Sequence, residues 1–389
     1  MTKAPRVALP VTRRSVSQAS GLRRAPGDPR PRDWHRTIPG YAPTPLVDAP
    51  TLAERLGVGR VLVKNEQQRL QLPSFKILGA SWAVHRALCQ RLEVSPELRF
   101  DELRDRLAGH RHLVLTCATD GNHGRAVAHM AKLLGLTSTV YVPNDLSQPR
   151  ITAIEDEGAE VVRVFGTYDD AVRYTAVQAA RHPNQVLVSD TSWPGYETVP
   201  RFVVQGYETI FDEIDDDLRA PGTDARTDPH VVLVPVGVGA LASAVISRWP
   251  GDTHTRVVTV EPDTAACVQQ SLALGAPTNV PGPHLSIMAG LNCGEPSMLA
   301  WPVLAAGVAA AVAVNDDEAR AAMRDLATAG IVAGESGAAA LAGAHVLFRS
   351  DEGRDALRGL EVPADATVLL LNTEGAADPD SYSRIVHHR

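Results

Sequence analysis

Little in this chain invites a metal site, a disulfide framework or a membrane. Its four cysteines, Cys89, Cys117, Cys267 and Cys293, form no Cys-x-x-Cys pair in 389 residues. That spacing argues against both a zinc site and a redox dithiol, and buried thiols are the plain expectation. No apolar run approaches the roughly 18 residues of a membrane span, and the N-terminus lacks an apolar leader core, so neither insertion nor secretion is expected. A cytoplasmic location is the default. Basic residues are not in excess either: 38 Lys and Arg stand against 45 Asp and Glu, a net charge of −7 that offers no support for nucleic acid or an anionic membrane as partner. What is present is a 44% hydrophobic composition in a chain long enough for two domains, or one large domain with a subdomain.

Residues 1–33 differ from the rest, with eight Lys or Arg, two Asp and five prolines but few large apolar groups. Such a segment buries too little surface to order itself, so a flexible arm is expected. The stretch Asp215 to His230, acidic and then rich in Pro, Gly and Thr, reads as a surface insertion. Elsewhere, short runs of Val, Leu and Ile recur at Val61, Leu113, Ser138, Val161, Val186, Val231, Val257 and Val368. Helical patterns separate many of them, at Ala80 to Leu92, Asp169 to Arg181, Val203 to Ile214, Ala240 to Trp249 and Asp316 to Thr328. Strands apolar throughout, alternating with helices, predict an α/β architecture with parallel sheets covered on both faces.

Four segments fall where such sheets present loops at the carboxyl ends of strands, the edge at which ligands bind. Thr119-Asp120-Gly121-Asn122-His123-Gly124 joins a strand to a helix and carries a carboxylate in a glycine-punctuated turn; capping of the helix by Asp120 or Asn122 is the simpler alternative. Ser74-Phe75-Lys76 opens another helix, where a lysine opposes the helix dipole. Either Lys76 extends its amine to solvent along the surface, or its apolar neighbours desolvate the amine and prepare it for a Schiff base with an aldehyde cofactor. Pro235-Val236-Gly237-Val238-Gly239-Ala240-Leu241 follows a strand and precedes a helix, an arrangement that aims successive N–H groups at an anion. It lacks the third glycine of a dinucleotide fingerprint and the Gly-Lys-Ser/Thr ending of a nucleotide loop, so a phosphate without a nucleotide fits better. Thr373, in Asn372-Thr373-Glu374-Gly375, places a hydroxyl after the last strand, as a ring-nitrogen partner or as a cap.

Together these segments resemble the pyridoxal-phosphate enzymes of fold type II, the tryptophan-synthase-β-like group. Within it the chain resembles the diaminopropionate ammonia-lyases, through Thr119 to Arg125, Asp190-Thr191-Ser192-Trp193 and Met288-Ala289-Gly290-Leu291-Asn292-Cys293-Gly294-Glu295-Pro296. The resemblance implies two parallel-sheet-centred domains with pyridoxal 5′-phosphate in the cleft: a large one from 34–80 and 189–389, and a small one inserted at 81–188. It implies that Lys76 holds the cofactor and then acts as a base, that Asn122 faces the ring oxygen, that Gly237, Val238, Gly239, Ala240 and Leu241 bind the phosphate, and that Thr373 faces the ring nitrogen. Asp190, Thr119 and Ser74 fall on the substrate side, with Asp190 placed for a β-ammonium group. The implied reaction is α,β-elimination of D- and L-2,3-diaminopropionate to pyruvate and two ammonia. Serine and threonine dehydratases of this fold carry a small residue where Asp120 stands, so Asp120 is expected to serve the D-enantiomer and Lys76 the L-enantiomer. A dehydratase is the rival reading, and a silent amino-acid-binding relative a distant one. A homodimer without metal is expected, and a Cys267–Cys293 disulfide less so than two free thiols.

Overall fold

The computed structural model describes residues 6–10, 22–119, 121–219, 228–250 and 253–387. Along them run the strands β1 (Val7–Ala8), β2 (Leu46–Asp48), β3 (Arg60–Asn65), β4 (Val114–Ala118), β5 (Thr137–Pro143), β6 (Glu160–Val164), β7 (Gln185–Leu187), β8 (Val231–Pro235), β9 (Arg256–Pro262), β10 (Val308–Val314) and β11 (Thr367–Asn372). Contacts divide the chain into two compact units: Met1–Arg23, Pro43–Gln68 and Ile210–Arg389 form one, Arg24–Ala42 and Arg69–Thr209 the other.

The first unit holds a seven-stranded sheet in the order β1-β10-β9-β8-β11-β3-β2. Neighbours from β10 through β3 are parallel, while the edge strands β1 and β2 pair antiparallel. Strands β8 and β10 are buried at every position, as strands of a covered parallel sheet must be. The helix Ala339–Arg349 packs on β8, β9, β10 and β11, and Ala240–Arg248 on β8 and β9. Both helices read as almost unbroken Ala, Leu, Val and Ile because they lie in the core.

The second unit holds a four-stranded, wholly parallel sheet, β6-β5-β4-β7. Helices Asn122–Leu134 and Tyr168–Arg181 cover β4 and β5. Helix Lys76–Arg91 packs along Thr198–Gly206 at very close range. A Cβ on Gly206 would lie 2.5 Å from the Leu78 carbonyl oxygen, and one on Gly79 would lie 2.6 Å from the Tyr207 ring.

The α/β alternation is as expected; several particulars are not. The arm of 1–33 is not simply flexible. Val7 and Ala8 add a strand to the sheet edge opposite Val312 and Ala311, Leu22 is buried, and Pro31–His35 is helical with Trp34 and His35 buried. Among its described residues, Arg6 pairs with Glu318 and Arg24 with Glu208. Residues 1–5 and 11–21 of the arm lie outside the described residues.

Nor does the smaller unit begin at 81 and end at 188. Its boundaries move outward because Lys76–Arg91 and Thr198–Gly206 pack on each other as one layer. Asp215 to Arg219, expected in a surface insertion, is the last turn of helix Glu208–Arg219, with Asp215 paired to Arg248 at 2.7 Å. Of the rest of that expected insertion, 220–227 lie outside the described residues.

Replacing Gly206 with Ala is expected to destabilise the fold by about 1–3 kcal/mol, because the added methyl meets backbone that has no room to move. Urea unfolding measures this; an unchanged midpoint with an unchanged slope would refute the packing described.

Candidate active site

In the second unit the site grows from the carboxyl ends of β4, β6 and β7. Strand β4 ends at Ala118, and Thr119 begins the turn into helix Asn122–Leu134. Its hydroxyl oxygen accepts the N–H groups of both Gly121 and Gly124 at 2.9 Å, so it braces the loop and caps the helix through its own side chain. Thr119 is wholly buried, and the capping alternative for Asn122 falls away because Asn122 is the first helical residue. Gly121 adopts φ +143°, a conformation that favours glycine. Asp120 lies outside the described residues.

Lys76 is the first residue of its helix, and its N–H donates to the Ser74 hydroxyl at 3.2 Å. Nζ donates to Asp190 Oδ2 at 2.8 Å, and the two side chains are 15% and 5% exposed. Asp190 follows β7 in a turn whose geometry is set by Tyr196, which donates to the Leu187 carbonyl at 2.7 Å, accepts the Ser189 N–H at 3.1 Å and stacks on Trp193. The second oxygen of Asp190 accepts a hydrogen bond from the Tyr168 hydroxyl at 2.9 Å. His123 Nδ1 is 4.0 Å from Oδ2, while its Nε2 lies 2.8 Å from the Val188 carbonyl oxygen. Burial alone would raise the Asp190 carboxyl; the Lys76 and His123 charges and the hydrogen bonds from Lys76 and Tyr168 outweigh it and hold the group well below the usual carboxylate range.

Tyr168 and His123 escaped the sequence reading as partners of Asp190. The available signal was positional: Tyr168 opens a helix directly after β6, behind the N-cap Thr167, and His123 directly follows Asn122.

In the first unit, β8 and β11 are neighbours, with Leu233 beside Leu370, so the loops that follow them leave the sheet at one edge. After β8, Gly237, Val238, Gly239, Ala240 and Leu241 lead into helix Ala240–Arg248, and none of their five N–H groups donates to a protein acceptor among the described residues. A Cβ on Gly237 would sit 3.0 Å from Cys293 Sγ. Cys267 Sγ lies 3.9 Å from the Gly237 carbonyl oxygen, and all four cysteines are free thiols. After β11, Thr373 is 5% exposed, and its side chain has no hydrogen bond among the described residues. No group of His, Cys, Asp and Glu among the described residues could hold a metal ion.

A row of free amides at a helix N-terminus and an unengaged hydroxyl at the same sheet edge are donors that suit a phosphorylated ligand, and the second unit by itself holds a lysine paired with a buried acid. The pyridoxal-phosphate dependent enzyme family model matches residues 37–374. The chain belongs to that family. It is 36% identical to the diaminopropionate ammonia-lyase of Escherichia coli strain K12 over 366 residues, 91% of this chain and 90% of that one. A probable D-serine dehydratase of Burkholderia thailandensis is 32% identical over 282 residues, 69% of this chain and 61% of its own length. The crystal structure of the Escherichia coli diaminopropionate ammonia-lyase in complex with D-serine superposes with a TM-score of 0.83 at 32% identity, covering 98% of this chain and 96% of that one. The two parallel sheets are those of fold type II.

Beside Gly237, Glu261 at the end of β9 is buried and accepts the N–H groups of Val268 and Gln269 at 2.7 and 2.8 Å. Burial outweighs those bonds and pushes its carboxyl up to about 8. The folded chain thus holds this proton more tightly than the unfolded chain. Glu261 contributes most to stability below pH 4.5, and that contribution is lost as pH climbs through about 8. Urea midpoints across this window are expected to decline in the wild type and to decline less in Glu261→Gln; parallel declines would overturn the assignment.

Proposed function

We propose that the chain is a carbon–nitrogen lyase that converts D- and L-2,3-diaminopropionate, with water, into pyruvate and two ammonia. The observation that carries this reading is the buried carboxylate of Asp190 against the Lys76 amine. A hydroxyamino acid has no second cation to offer such a group, whereas a diamino acid has one. The likeness to diaminopropionate ammonia-lyase along nine-tenths of both chains supports the same choice over a serine or threonine dehydratase.

The family's cofactor, when bound, supplies an electron sink for the α-carbon. The free N–H groups of Gly237 to Leu241 bind its phosphate, Thr373 hydrogen-bonds its ring nitrogen without imposing a charge, and Asn122 orients its ring oxygen. Lys76 Nζ anchors its carbonyl carbon and afterwards moves the α-proton of the L-substrate. The carboxylate of Asp120 does so for the D-substrate, and Asp190 receives the β-ammonium group. Ser74 holds the Lys76 backbone in register for this. Loss of the α-proton and of the β-amino group as ammonia leaves an unsaturated amine, whose hydrolysis yields pyruvate and the second ammonia. Positioned proton transfer is worth about 10²- to 10⁴-fold in rate.

We place the enzyme in the cytoplasm, as four unbridged thiols suit, and as a homodimer, for which the exposed Leu274, Leu285 and Met298 offer apolar surface. No helix among the described residues is long and apolar enough to cross a membrane.

Ammonia and pyruvate release, measured side by side on both diaminopropionate enantiomers, both serine enantiomers and L-threonine, tests the reading. Diaminopropionate is expected to exceed the others in kcat/KM, and a chain fastest on serine or threonine is a dehydratase. Asp120→Asn is expected to lose D-diaminopropionate turnover by about 10²-fold or more beyond its loss on the L-enantiomer; equal losses would sink the two-base assignment. Lys76→Ala is expected to lose the visible absorbance band of the holoenzyme.

A further inference from the structure

In the larger unit, the turn Gly334-Glu335-Ser336-Gly337 leads into the core helix Ala339–Arg349 and touches both loops assigned above to the cofactor. On one side the Ser336 hydroxyl accepts the Gly290 N–H at 3.2 Å. Gly290 in turn backs the loop after β8, because a Cβ on Gly237 would lie 3.2 Å from the Gly290 carbonyl oxygen. On the other side the Ser336 N–H donates to Glu374 Oε1 at 2.9 Å, and the Gly334 N–H donates to the Glu374 carbonyl at 3.0 Å. A Cβ on Gly337 would lie 2.3 Å from Asn372 Oδ1 and 2.5 Å from the Glu374 carbonyl oxygen. The turn thus grips both chain neighbours of Thr373. Ser336, Asn372 and Glu374 are all buried, so water does not readily stand in for a lost partner.

The sheet by itself does not set the distance between these two loops. The ladder between β8 and β11 ends at Leu233 and Leu370, before Gly237 and Thr373 are reached. Ser336 spans the interval, with one bond from its hydroxyl and one from its N–H. A rigid aromatic ligand carries its phosphate and its ring nitrogen at a fixed separation. Two recognition groups already held at that separation bind it without the ordering cost that two drifting loops would impose.

We propose that Ser336 is a positioning residue that sets the spacing between the phosphate loop at Gly237 and the Thr373 hydroxyl, so that one rigid ligand is held at both ends. The proposal rests on the cofactor contacts given under the proposed function, and is independent of which amino acid is the substrate.

A double-mutant cycle on the full-length chain stripped of cofactor tests it. Binding of pyridoxal 5′-phosphate is read from its absorbance, and binding of inorganic phosphate from the rise in thermal midpoint. Thr373→Val alone is expected to weaken pyridoxal 5′-phosphate about tenfold and to leave inorganic phosphate unchanged. Ser336→Ala is expected to weaken inorganic phosphate about tenfold, and in that background Thr373→Val should cost less than about threefold. A serine that only stabilised the fold would lower the unliganded midpoint and leave the Thr373→Val penalty whole. Equal penalties in the two backgrounds, or an unchanged phosphate affinity in Ser336→Ala, overturn the positioning role.

Glu374 variants decide the question if Ser336→Ala does not fold. Glu374→Gln keeps a carbonyl oxygen for the Ser336 N–H and is expected to retain the Thr373→Val penalty of about tenfold. Glu374→Leu offers no acceptor and should shrink that penalty to below about threefold, with inorganic phosphate bound as in the wild type. The same penalty in both chains overturns the link. If Thr373→Val costs the otherwise wild-type chain nothing, the ring-nitrogen assignment falls and the link with it, a result distinct from equal penalties.

Discussion

A parallel strand must be re-entered by a crossover, so the strands of a parallel sheet all deliver their following loops to the same edge. This constraint organises each unit of the chain. In one it brings Thr119, Tyr168 and Asp190 to the ends of β4, β6 and β7, and in the other it brings Gly237 and Thr373 to the ends of β8 and β11. Residues separated by 114 positions, as Lys76 and Asp190 are, can then form a 2.8 Å contact with no long excursion of the backbone.

Two buried lysine–carboxylate pairs show how differently the same chemistry is used. In the larger unit Lys64 donates to Glu213 at 2.8 Å and to the Thr44 carbonyl at 2.6 Å, while the Thr44 hydroxyl donates to Glu66 at 2.6 Å. Lys64 and Glu213 are 0% and 1% exposed, and backbone as well as side-chain acceptors hold the amine, the pattern of a fixed structural pair. Lys76, by contrast, keeps some exposure at the head of its helix, and its acid is oriented by a separate hydroxyl. A pair of that kind can be taken apart and remade.

Legibility followed side-chain chemistry. Strands such as Val231–Pro235 and Thr367–Asn372 were evident because β-branched and leucine runs of that length between helical patterns have few other uses. Strand β10, Val-Ala-Ala-Ala-Val-Ala-Val, was missed because alanine favours helices and only its central place in the sheet makes it a strand. Helix Ala339–Arg349 was missed for the complementary reason: buried except at His345, Phe348 and Arg349, it shows too little polar face to reveal its period. The two-residue β1 is too short for any pattern to register. At the site, loops with glycines and a lysine were visible, and the family resemblance named Asp190. The Tyr168 and His123 contacts with Asp190 were not visible, since nothing local announces a partner that another strand delivers. That the Thr119 hydroxyl also braces its own turn was not visible, since a hydroxyl's donors become apparent only when the turn around it is known.

The close approach of Gly206 to the Leu78 carbonyl bears on how Lys76 moves. That contact lies within one turn of the lysine and involves backbone on both sides, so the start of helix Lys76–Arg91 is clamped to its neighbour. The lysine is therefore a short tether on an immovable post. Its nitrogen can travel only by rotation about the bonds of its own side chain, sweeping a small cap of space above the helix end. Whatever Lys76 does in succession must be reachable within that cap.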